Sequence, residues 1–507
     1  MNEIQHNRIL FLLIIGFFTC LITVLIPTEF DPYWHIKVGE WIVSHLEVPH
    51  TGIFSQTQEN TPWTAHSWLS EVIMYLIFYA TGWPGLIVMG VVATTASILI
   101  MLKYLLEQLS PIRALCLMLL SYGMLFAHIM PRPHILALPI MTYWFVQMLR
   151  ASEKHKAPPL HQALILILWA NIHGSFLIGI VYAGFFAIES VITAPEGINR
   201  TVLTKHWAKF LAVSILCLLV TPYGLEGVLL PLQLTDQSYS MSIISEWASP
   251  NFQQLQFLEI LLYIILGFAL TQKMQLPVLR LLLLIGLIHL SLKHGRYSSD
   301  LMALQVPLLF AAPLAKHWHE WVSDTKRFTL SSLIPATSKG KLLIISVLCC
   351  WLIYIFAYKD IEYEASKKIN AMLSSINKAN LPGNVFSHYN YGGYFIYQDL
   401  KPFIDSRAEL YRDDYIKAYE EAEHLTGGEK PLVKLLNKYH IGWSFLPPET
   451  PAIAYFDLNP DWLQVFSNDC AMIHVRKGLW SQQAIADLRT ELKNLPGKEN
   501  ACKSDPN

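Results

Sequence analysis

The chain has 507 residues, of which 53% are hydrophobic and only 15% are charged. A soluble protein of ordinary composition carries about 25% charged residues, so this composition indicates a membrane protein. With 37 basic and 38 acidic side chains the net charge is -1. That balance excludes a bulk electrostatic attraction to nucleic acid, and no nucleic acid partner is expected.

Apolar segments recur along the chain from residue 8 to residue 358, each near the length that crosses about 30 Å of hydrocarbon. The first of them lacks a small-residue cleavage site, so it is predicted to be an anchor and not a removed signal peptide. The predicted spans, about eleven in number, are 8–26, 84–105, 112–130, 134–150, 160–172, 174–193, 207–222, 255–271, 277–292, 298–316 and 341–358.

Basic residues indicate the orientation of these spans. They cluster near residues 103–113, 150–156, 200–209, 273–280 and 316–341. The positive-inside rule places all of these in the cytoplasm. Segment 66–82 then cannot cross and is predicted to be a juxtamembrane helix on the outer face. We therefore expect a multi-pass protein of the bacterial inner (cell) membrane, in contact with the lipid bilayer, with a cytoplasmic N-terminus and a periplasmic or otherwise extracytoplasmic C-terminal domain.

The predicted domains are a transmembrane catalytic domain at 1–358 with an outer loop at 27–83, an extracytoplasmic α/β domain at 359–493, and a disordered tail at 494–507. Alternation of strand-like and helical runs predicts a small sheet with helices on its faces. The strand-like runs are 384–388, 394–398, 401–405, 442–446 and 471–477, and the helical patterns fill 362–379 and 413–440.

The chain has 7 cysteines, most of them in apolar segments. Only Cys470 and Cys502 could form a disulfide outside the membrane, and their spacing leaves open whether they do.

Polar groups collect on the predicted outer side. They lie in the loop of Asp31 and in the stretches 130–134, 171–175, 242–250 and 293–297. Ionisable groups at membrane depth are costly and are usually functional. Each could also simply end a helix, but five such stretches on one side favour a shared site.

Asp31 is followed by Pro32, which fits an N-cap with proline at the first helical position. A helix starting there would also place Asp31 and His35 four residues apart on one face. Such a pair could bind a divalent cation or hold the proton of an acceptor.

Arg296 opens an apolar span on the outer side and is the residue type preferred for bidentate phosphate binding, with Lys293 as a further donor and Arg132 as a similar candidate. The alternative is an arginine that snorkels to lipid headgroups. Glu246 lies in a polar loop and is either functional or merely solvated.

Further candidates each have a structural alternative. His173 interrupts an apolar run and is either functional or a satisfied buried imidazole. Asp405, with Arg407, follows a strand-like run and is either a site residue or part of a salt-bridged turn. Trp68 could stack on a sugar ring, although interfacial tryptophans are expected in any membrane protein.

Four stretches in this order resemble the glycosyltransferase C superfamily of polyprenyl-phosphate-dependent membrane enzymes, and most closely the oligosaccharyltransferase catalytic subunit. They are "FDPYWH" at 30–35, "SIISE" at 242–246, "HGRYSSDLMALQVP" at 294–307 and "SHYNYGGYFIYQDLKPFIDSR" at 387–407. The resemblance implies a fold of glycosyltransferase C type followed by the α/β domain.

The resemblance also implies roles for single residues. Asp31 matches the family's metal- and acceptor-binding aspartate, Glu246 matches a glutamate of a later outer loop, and Arg296 matches the arginine that contacts the lipid-linked pyrophosphate. In the soluble domain, Tyr389, Asn390, Tyr391 and Asp405 lie in the segment that matches and are expected to contact acceptor or sugar. His35, Trp68 and His173 are candidates for the same contact on their residue chemistry alone.

Two departures from the family pattern limit what the resemblance implies. The second outer loop, "MPRPH" at 130–134, lacks the usual acidic pair. A metal site would therefore rest on Asp31 and Glu246, with His35 or His134; oxygen ligands favour Mg²⁺ and imidazole favours Mn²⁺ or Zn²⁺, and no metal is the other alternative. "HYNYGG" at 388–393 lacks the two Trp and the Asp that read a glycosylation sequon, so asparagine-linked glycosylation is not implied.

The expected function is transfer of a sugar or glycan from a polyprenyl-phosphate or diphosphate donor to a glycan, lipid or protein acceptor on the non-cytoplasmic face. Asp31 would act as base, with inversion at the anomeric centre. The alternative is a non-catalytic transporter or a scaffold in polysaccharide or glycoconjugate assembly. A transporter should show internal repeats and polar groups near mid-membrane, and the sequence shows neither.

Overall fold

The computed structural model describes residues 30–126, 128–244, 246–271, 276–318, 346, 349–353, 355–357, 364–379, 382–495 and 502. These residues are mostly helical, with a small mixed sheet, and they divide into two compact units. The first unit comprises the described residues of Pro84–Pro231 and Ser242–Lys359, and the second those of Pro27–Trp83, Leu232–Met241 and Asp360–Asn507.

The first unit is built from apolar helices. Runs rich in Leu and Ala favour helix here, because these residues have high intrinsic helix propensity. The helices are Pro111–Phe126, Pro133–Glu153, Ile165–Ile172, Phe176–Ile192, Arg200–Leu218, Phe257–Thr271, Val278–Lys293 and Ala303–His317, with a 3₁₀ turn at Leu160–Leu164 and a π-helical turn at Ser298–Met302. Three more helices have residues in both units: Trp68–Gln108, Gly224–Thr235 and Ser238–Ile243.

Three of the described helices are long and apolar enough to cross a membrane, namely Trp68–Gln108, Arg200–Leu218 and Ser298–His317. Shorter apolar helices include Phe176–Ile192 and Phe257–Thr271. The predicted total of about eleven spans, three of which fall partly or wholly outside the described residues, stays a prediction.

Helix Trp68–Gln108 is interrupted at Gly82, where φ is 66° and ψ is -158°. A positive φ of this kind is easily adopted only by glycine. The break falls where the predicted juxtamembrane segment 66–82 ends, so the helical part of that prediction is confirmed. Its position along a membrane face stays a prediction.

Ion pairs, of which Arg280–Glu189 is buried, join the ends of several helices of the first unit. Arg280 donates to Glu189 at 2.8 Å and to Glu153 at 3.3 Å. Arg150 pairs with Glu107 at 2.6 Å. Two of the basic residues used to predict orientation are therefore also internal partners of carboxylates.

The second unit contains a four-stranded mixed sheet in the order β1-β2-β4-β3. Its strands are β1 Asn384–Ser387, β2 Ile441–Leu446, β3 Trp462–Ser467 and β4 Met472–Arg476. β1 and β2 are parallel, whereas β4 is antiparallel to both β2 and β3. Every residue of β2 is buried, as expected for an inner strand covered on both faces. The helices are Asp31–His45, Glu364–Ala379, Gly392–Tyr397, Ala408–Glu423, Lys430–Lys438, Ile453–Leu458 and Gln482–Lys493.

The helix Asp31–His45 packs against the short helix Gly392–Tyr397 within this unit. The rings of Tyr33 and Tyr394 are in tilted contact, with centroids 4.7 Å apart and planes inclined at 58°. The carbonyl of Phe30 approaches Gly393 so closely that a Cβ there would lie 2.2 Å from the oxygen. The "NYGGY" turn therefore brings protein backbone, and not a ligand, close to its glycine.

The α/β class of this part is confirmed, but two predicted strands were wrong and one strand was missed. Residues 394–398 are helical, and 401–405 are not a strand. β3 was not predicted at all. A short apolar run such as 394–398 does not distinguish a buried helix from a strand by its periodicity. The helical pattern at 413–440 is two helices, separated near Gly427 and Gly428, which both have positive φ.

Cys470 and Cys502 form a disulfide, with Cα atoms 4.9 Å apart and a sequence separation of 32. This settles the pairing that the spacing left open. We expect Cys502→Ser to lower the free energy of unfolding of the second unit by about 3–4 kcal/mol, because the loop is no longer closed in the unfolded chain. Thermal unfolding should show the same loss when dithiothreitol is added to the unmodified protein, and an unchanged midpoint in both cases would contradict this.

Candidate functional site

In the first unit, four charged side chains form what we call the four-charge cluster: Arg132, Glu246, Arg296 and Asp300. Arg132 donates from Nη1 to Oε1 of Glu246. Arg296 lies 3.6 Å from the other oxygen of Glu246 through its Nη1 and 3.4 Å from Asp300 through its Nε. The side chains of both arginines are nearly buried, at 11% and 12% exposure. One carboxylate thus holds two guanidiniums that are 164 residues apart in the chain.

Chain segments from distant parts of the sequence place these groups. Arg132 precedes the helix Pro133–Glu153, and its backbone is extended at the N-cap. The amide of Arg296 donates to the carbonyl of Glu246 at 3.3 Å, and Gly295 donates to Ala248 at 2.9 Å. The loop that carries Glu246 therefore runs along the chain just before the helical segment Ser298–His317.

The environment of Glu246 favours its charged form. Burial alone would raise the pKa of this carboxyl, but Arg132 and Arg296 outweigh it and lower the pKa to about 2. Trp247 adds to the arrangement, because the guanidinium of Arg296 lies 4.6 Å from its ring centroid. The alternatives of a solvated Glu246 and of an Arg296 that snorkels to headgroups do not describe these side chains.

Two other candidates of the first unit have simpler surroundings. Lys293 ends the helix Val278–Lys293 and is exposed. Nδ1 of His173 bonds the hydroxyl of Ser175 at 2.9 Å and the Ser175 amide at 3.2 Å, so this imidazole closes the turn after the helix Ile165–Ile172. His134, at 7% exposure, bonds the carbonyl of His128 at 3.1 Å.

In the second unit, Asp31 is nearly buried and its carboxylate is held by side chains. It is the first residue of its helix, Phe30 is the N-cap, and no side-chain cap bond forms there. The predicted capping role of Asp31 is therefore wrong by one position. Oδ1 of Asp31 instead accepts from the hydroxyl of Ser406 and from the indole of Trp34, the latter at 3.3 Å.

His35 turns toward a glutamate. Its Nδ1 lies 3.1 Å from Oε1 of Glu71, which is 1% exposed. Trp68 is the first residue of the helix that carries Glu71 and is half-buried. A buried hydrogen bond to Glu71 is thus one contact of His35, and a sugar-binding role for His35 or Trp68 stays a prediction.

Asp405 is fully buried and faces protein groups. Its two oxygens accept from Nε of Arg407 at 2.8 Å and from Nη2 at 2.7 Å, and one of them also accepts from the hydroxyl of Tyr411 at 2.7 Å. The guanidinium of Arg407 lies 4.5 Å from the ring centroid of Trp63. The sequence left two alternatives for Asp405 and Arg407, a site residue or a salt-bridged turn. The structure shows the salt-bridged turn. Asp405 has no exposed surface in this arrangement with which to contact a sugar.

The segment Tyr389–Tyr391 is a 3₁₀ turn directly after β1. The hydroxyl of Tyr391 donates to the carbonyl of Cys470 at 2.6 Å, and the amide of Asn390 donates to the ring of His388 at 3.2 Å. Asn390 is exposed, whereas Tyr389 and Tyr391 are half-buried. Asn390 is thus the member of this trio best placed to reach a ligand.

Beneath this turn lies Glu423, whose carboxylate accepts from the hydroxyl of Tyr419. Burial raises the pKa of Glu423 to about 8, partly opposed by that hydrogen bond. The folded protein therefore holds a proton that the unfolded chain releases near pH 4.5, and stability falls as the pH rises from about 4.5 to about 8.

We expect Glu423→Gln to remove this pH dependence, because the amide mimics the protonated acid. The variant should gain thermal stability over the unmodified protein at pH 8 and little at pH 5, as measured by unfolding midpoints at both values. Glu429→Gln, at an exposed position, is the matched control. A midpoint difference that is equal at both pH values would contradict the buried-proton explanation.

Among the described residues, two groups bring three potential metal ligands within 4.8 Å of one another. In one of them Cys470 and Cys502 are oxidised to a disulfide, so they offer no thiolates. The other is Glu420, Glu423 and His424 at the end of a helix. Neither group contains Asp31 or Glu246, and the two guanidiniums beside Glu246 oppose a cation there. The predicted metal site at Asp31 and Glu246 therefore finds no support in the surroundings of Glu246.

The sequence predicted that Arg132, Glu246 and Arg296 are neighbours in one site, and they lie together in the structure. Asp31 belongs to the other unit, so its place beside that cluster stays a prediction. Sequence reasoning missed Asp300 and Ser406. The spacing of Asp300, four residues after Arg296, would have indicated it as a partner on one helix face; no local signal indicated Ser406.

Comparison with solved structures finds the Archaeoglobus fulgidus oligosaccharyltransferase, in the apo form and in a complex with Zn and sulfate. The two matches have TM-scores of 0.49 and 0.48 at 9% sequence identity. Both cover 86% of this chain, and they cover 69% and 68% of the archaeal chain. No protein-family model and no curated protein matches the sequence.

Proposed function

We propose that this protein is a membrane glycosyltransferase that moves a sugar or glycan from a polyprenyl-phosphate or diphosphate donor to an acceptor on the non-cytoplasmic face. The observation that carries the proposal is the four-charge cluster. Two nearly buried arginines at the start of apolar helices are an unusual and costly feature, and planar guanidiniums match the geometry of phosphate oxygens.

In the proposed reaction, an oxygen of the acceptor forms a bond to the anomeric carbon while the bond from that carbon to the phosphate oxygen breaks. The acceptor's proton passes to Asp31, and the leaving phosphate keeps the electron pair. Arg296, with Arg132, stabilises the negative charge that develops on the phosphate, which is the electrostatic contribution that usually dominates catalysis. A single displacement of this kind inverts the anomeric centre.

Asp31 suits the role of base because its orientation is fixed. Ser406 and Trp34 hold one carboxylate oxygen, and the side chain sits at the first turn of a helix. Glu246 would position the acceptor, and Asn390 is the exposed candidate for contact with acceptor or sugar. A divalent cation such as Mg²⁺ or Mn²⁺ stays a prediction, and the steps above are assigned to side chains alone.

The proposed side of the membrane rests on the topology and on the disulfide. Disulfides persist mainly in oxidising compartments, and Cys470–Cys502 lies in the second unit with Asp31. An extracytoplasmic position of this unit would place the base on the side where the disulfide survives.

The test compares glycans and lipid-linked sugars, by mass spectrometry, in cells with and without the protein. We expect loss of a sugar from one product and accumulation of its lipid-linked donor in cells that lack it. Restoration by the unmodified gene but not by an Asp31→Asn variant would support the enzyme. Unchanged glycans and lipid-linked sugars would contradict the proposal and favour a scaffold.

A further inference from the structure

We propose that Glu246 and Asp300 are internal counter-ions, which the phosphate of the donor displaces from Arg132 and Arg296 when it binds. This inference rests on the proposed function only in taking a phosphate-bearing lipid as the ligand. It adds an order of events: donor binding releases Glu246, so this carboxylate becomes available to an acceptor only after the donor is in place.

The first step is the charge balance of the four-charge cluster. Two guanidiniums face two carboxylates, and every one of these side chains is less than one quarter exposed. Both oxygens of Glu246 are engaged, one by Arg132 and one by Arg296. Paired in this way, the arginines present no net positive charge, so an anion binds there by exchange with a carboxylate.

The second step is the competition between the anions. A diphosphate carries more negative charge than a carboxylate and offers more acceptor oxygens, so it can bond both guanidiniums at once. The contacts of Glu246 to Arg296 and of Asp300 to Arg296 are long for charge-assisted bonds, at 3.6 Å and 3.4 Å. Arg296 is therefore the guanidinium held less tightly by its carboxylates.

The third step concerns the contacts that hold Arg296 in position while the phosphate replaces the carboxylate. The ring of Trp247 lies against Arg296, and the main-chain bond from Arg296 to the carbonyl of Glu246 does not involve either side chain. The guanidinium thus retains a support when the carboxylate side chain leaves. Rotation of the Glu246 side chain is enough to open the site.

The experiment is a calorimetric titration of the full chain, purified in detergent without divalent cations, with farnesyl diphosphate as the probe. Removing one carboxylate charge from beside the guanidiniums should tighten binding, so Glu246→Gln is expected to bind about tenfold more tightly than the unmodified protein. Asp300→Asn should tighten binding less, and Arg296→Met should weaken it. Glu226→Gln, an exposed carboxylate of the same unit, is the matched control and should leave binding unchanged.

The outcomes separate this inference from the proposed function. If the unmodified protein binds farnesyl diphosphate and Arg296→Met weakens binding, but both Glu246→Gln and Asp300→Asn bind no tighter, the counter-ion inference is wrong and the donor site stands. If no folded variant binds the probe, both are wrong. If the unfolding midpoint shows that Glu246→Gln does not fold, tighter binding by Asp300→Asn alone would still support the inference.

Discussion

Asp31→Asn is expected to reduce glycosyl transfer by about 10²- to 10⁴-fold, the usual contribution of a positioned acid or base. The asparagine carbonyl can still accept from Ser406 and Trp34, so the hydrogen bonds that orient the side chain are retained. What is lost is the ability to take the proton of the acceptor. Initial rates with the donor and acceptor found by mass spectrometry measure the effect.

Two comparisons make this result specific to catalysis. Asp399→Asn is the matched control, because Asp399 is a 69% exposed carboxylate of the same unit that pairs with Lys37 at 2.7 Å. It should retain full activity. Farnesyl diphosphate binding should be the same in Asp31→Asn and in the unmodified protein, since the proposed donor contacts are made by Arg132 and Arg296. Full transfer activity in Asp31→Asn would remove the base assignment.

The part of the site that could be predicted from the sequence is the part set by residue type and by membrane topology. Three charged residues, Arg132, Glu246 and Arg296, lie at the ends of apolar segments. A charged side chain is costly there and is usually functional. Reasoning from sidedness predicted that such groups meet, and in the structure these three do. Their pairing with one another could not be predicted, because an unpaired arginine and a paired one look alike in a sequence.

Long-range contacts explain most of what the sequence did not reveal. Asp405 looked like a site residue after a strand, but Tyr411 and Arg407 enclose it completely. Segment 394–398 was predicted as a strand but lies mostly in the helix Gly392–Tyr397. At the start of that helix Gly393 admits the carbonyl of Phe30, more than 360 residues away. The contact of Ser406 with Asp31 spans 375 positions. Periodicity reports which face of an element is buried and does not report what buries it.

These contacts tie the candidate base to the interior of the second unit. Ser406 lies between Asp405 and Arg407, so the buried ion pair fixes the segment whose hydroxyl holds Asp31. The orientation of the candidate base Asp31 is thereby linked to the Asp405–Arg407 ion pair. The resemblance to known enzymes assigned no role to that ion pair. The main role of Asp405 and Arg407 is structural, and the free energy of unfolding of the second unit measures it.

Arg407→Met is expected to destabilise the second unit by about 3–5 kcal/mol, because it leaves the Asp405 carboxylate buried without its counter-ion. Both side chains are 0% exposed, and burial opposes the charge of Arg407 while Asp405 outweighs that penalty and raises its pKa. The lost contact of the guanidinium with Trp63 adds to the effect. Thermal unfolding of the purified chain, with proteolysis of the second unit as a separate readout, measures the change.

A double variant that removes both Asp405 and Arg407 distinguishes two causes of lost stability. One is a buried charge without its partner, and the other is a simple loss of packing. In Asp405→Leu/Arg407→Met no charge is left unpaired, so the double variant should be more stable than Arg407→Met alone, although one more residue has changed. Arg412→Met makes the same replacement at an exposed position of the same helix and should unfold like the unmodified protein. Were Arg407→Met as stable as Arg412→Met, the ion pair would not be what fixes the segment that supports Asp31. Were the double variant less stable than the single one, packing of the two side chains would outweigh the cost of the unpaired charge.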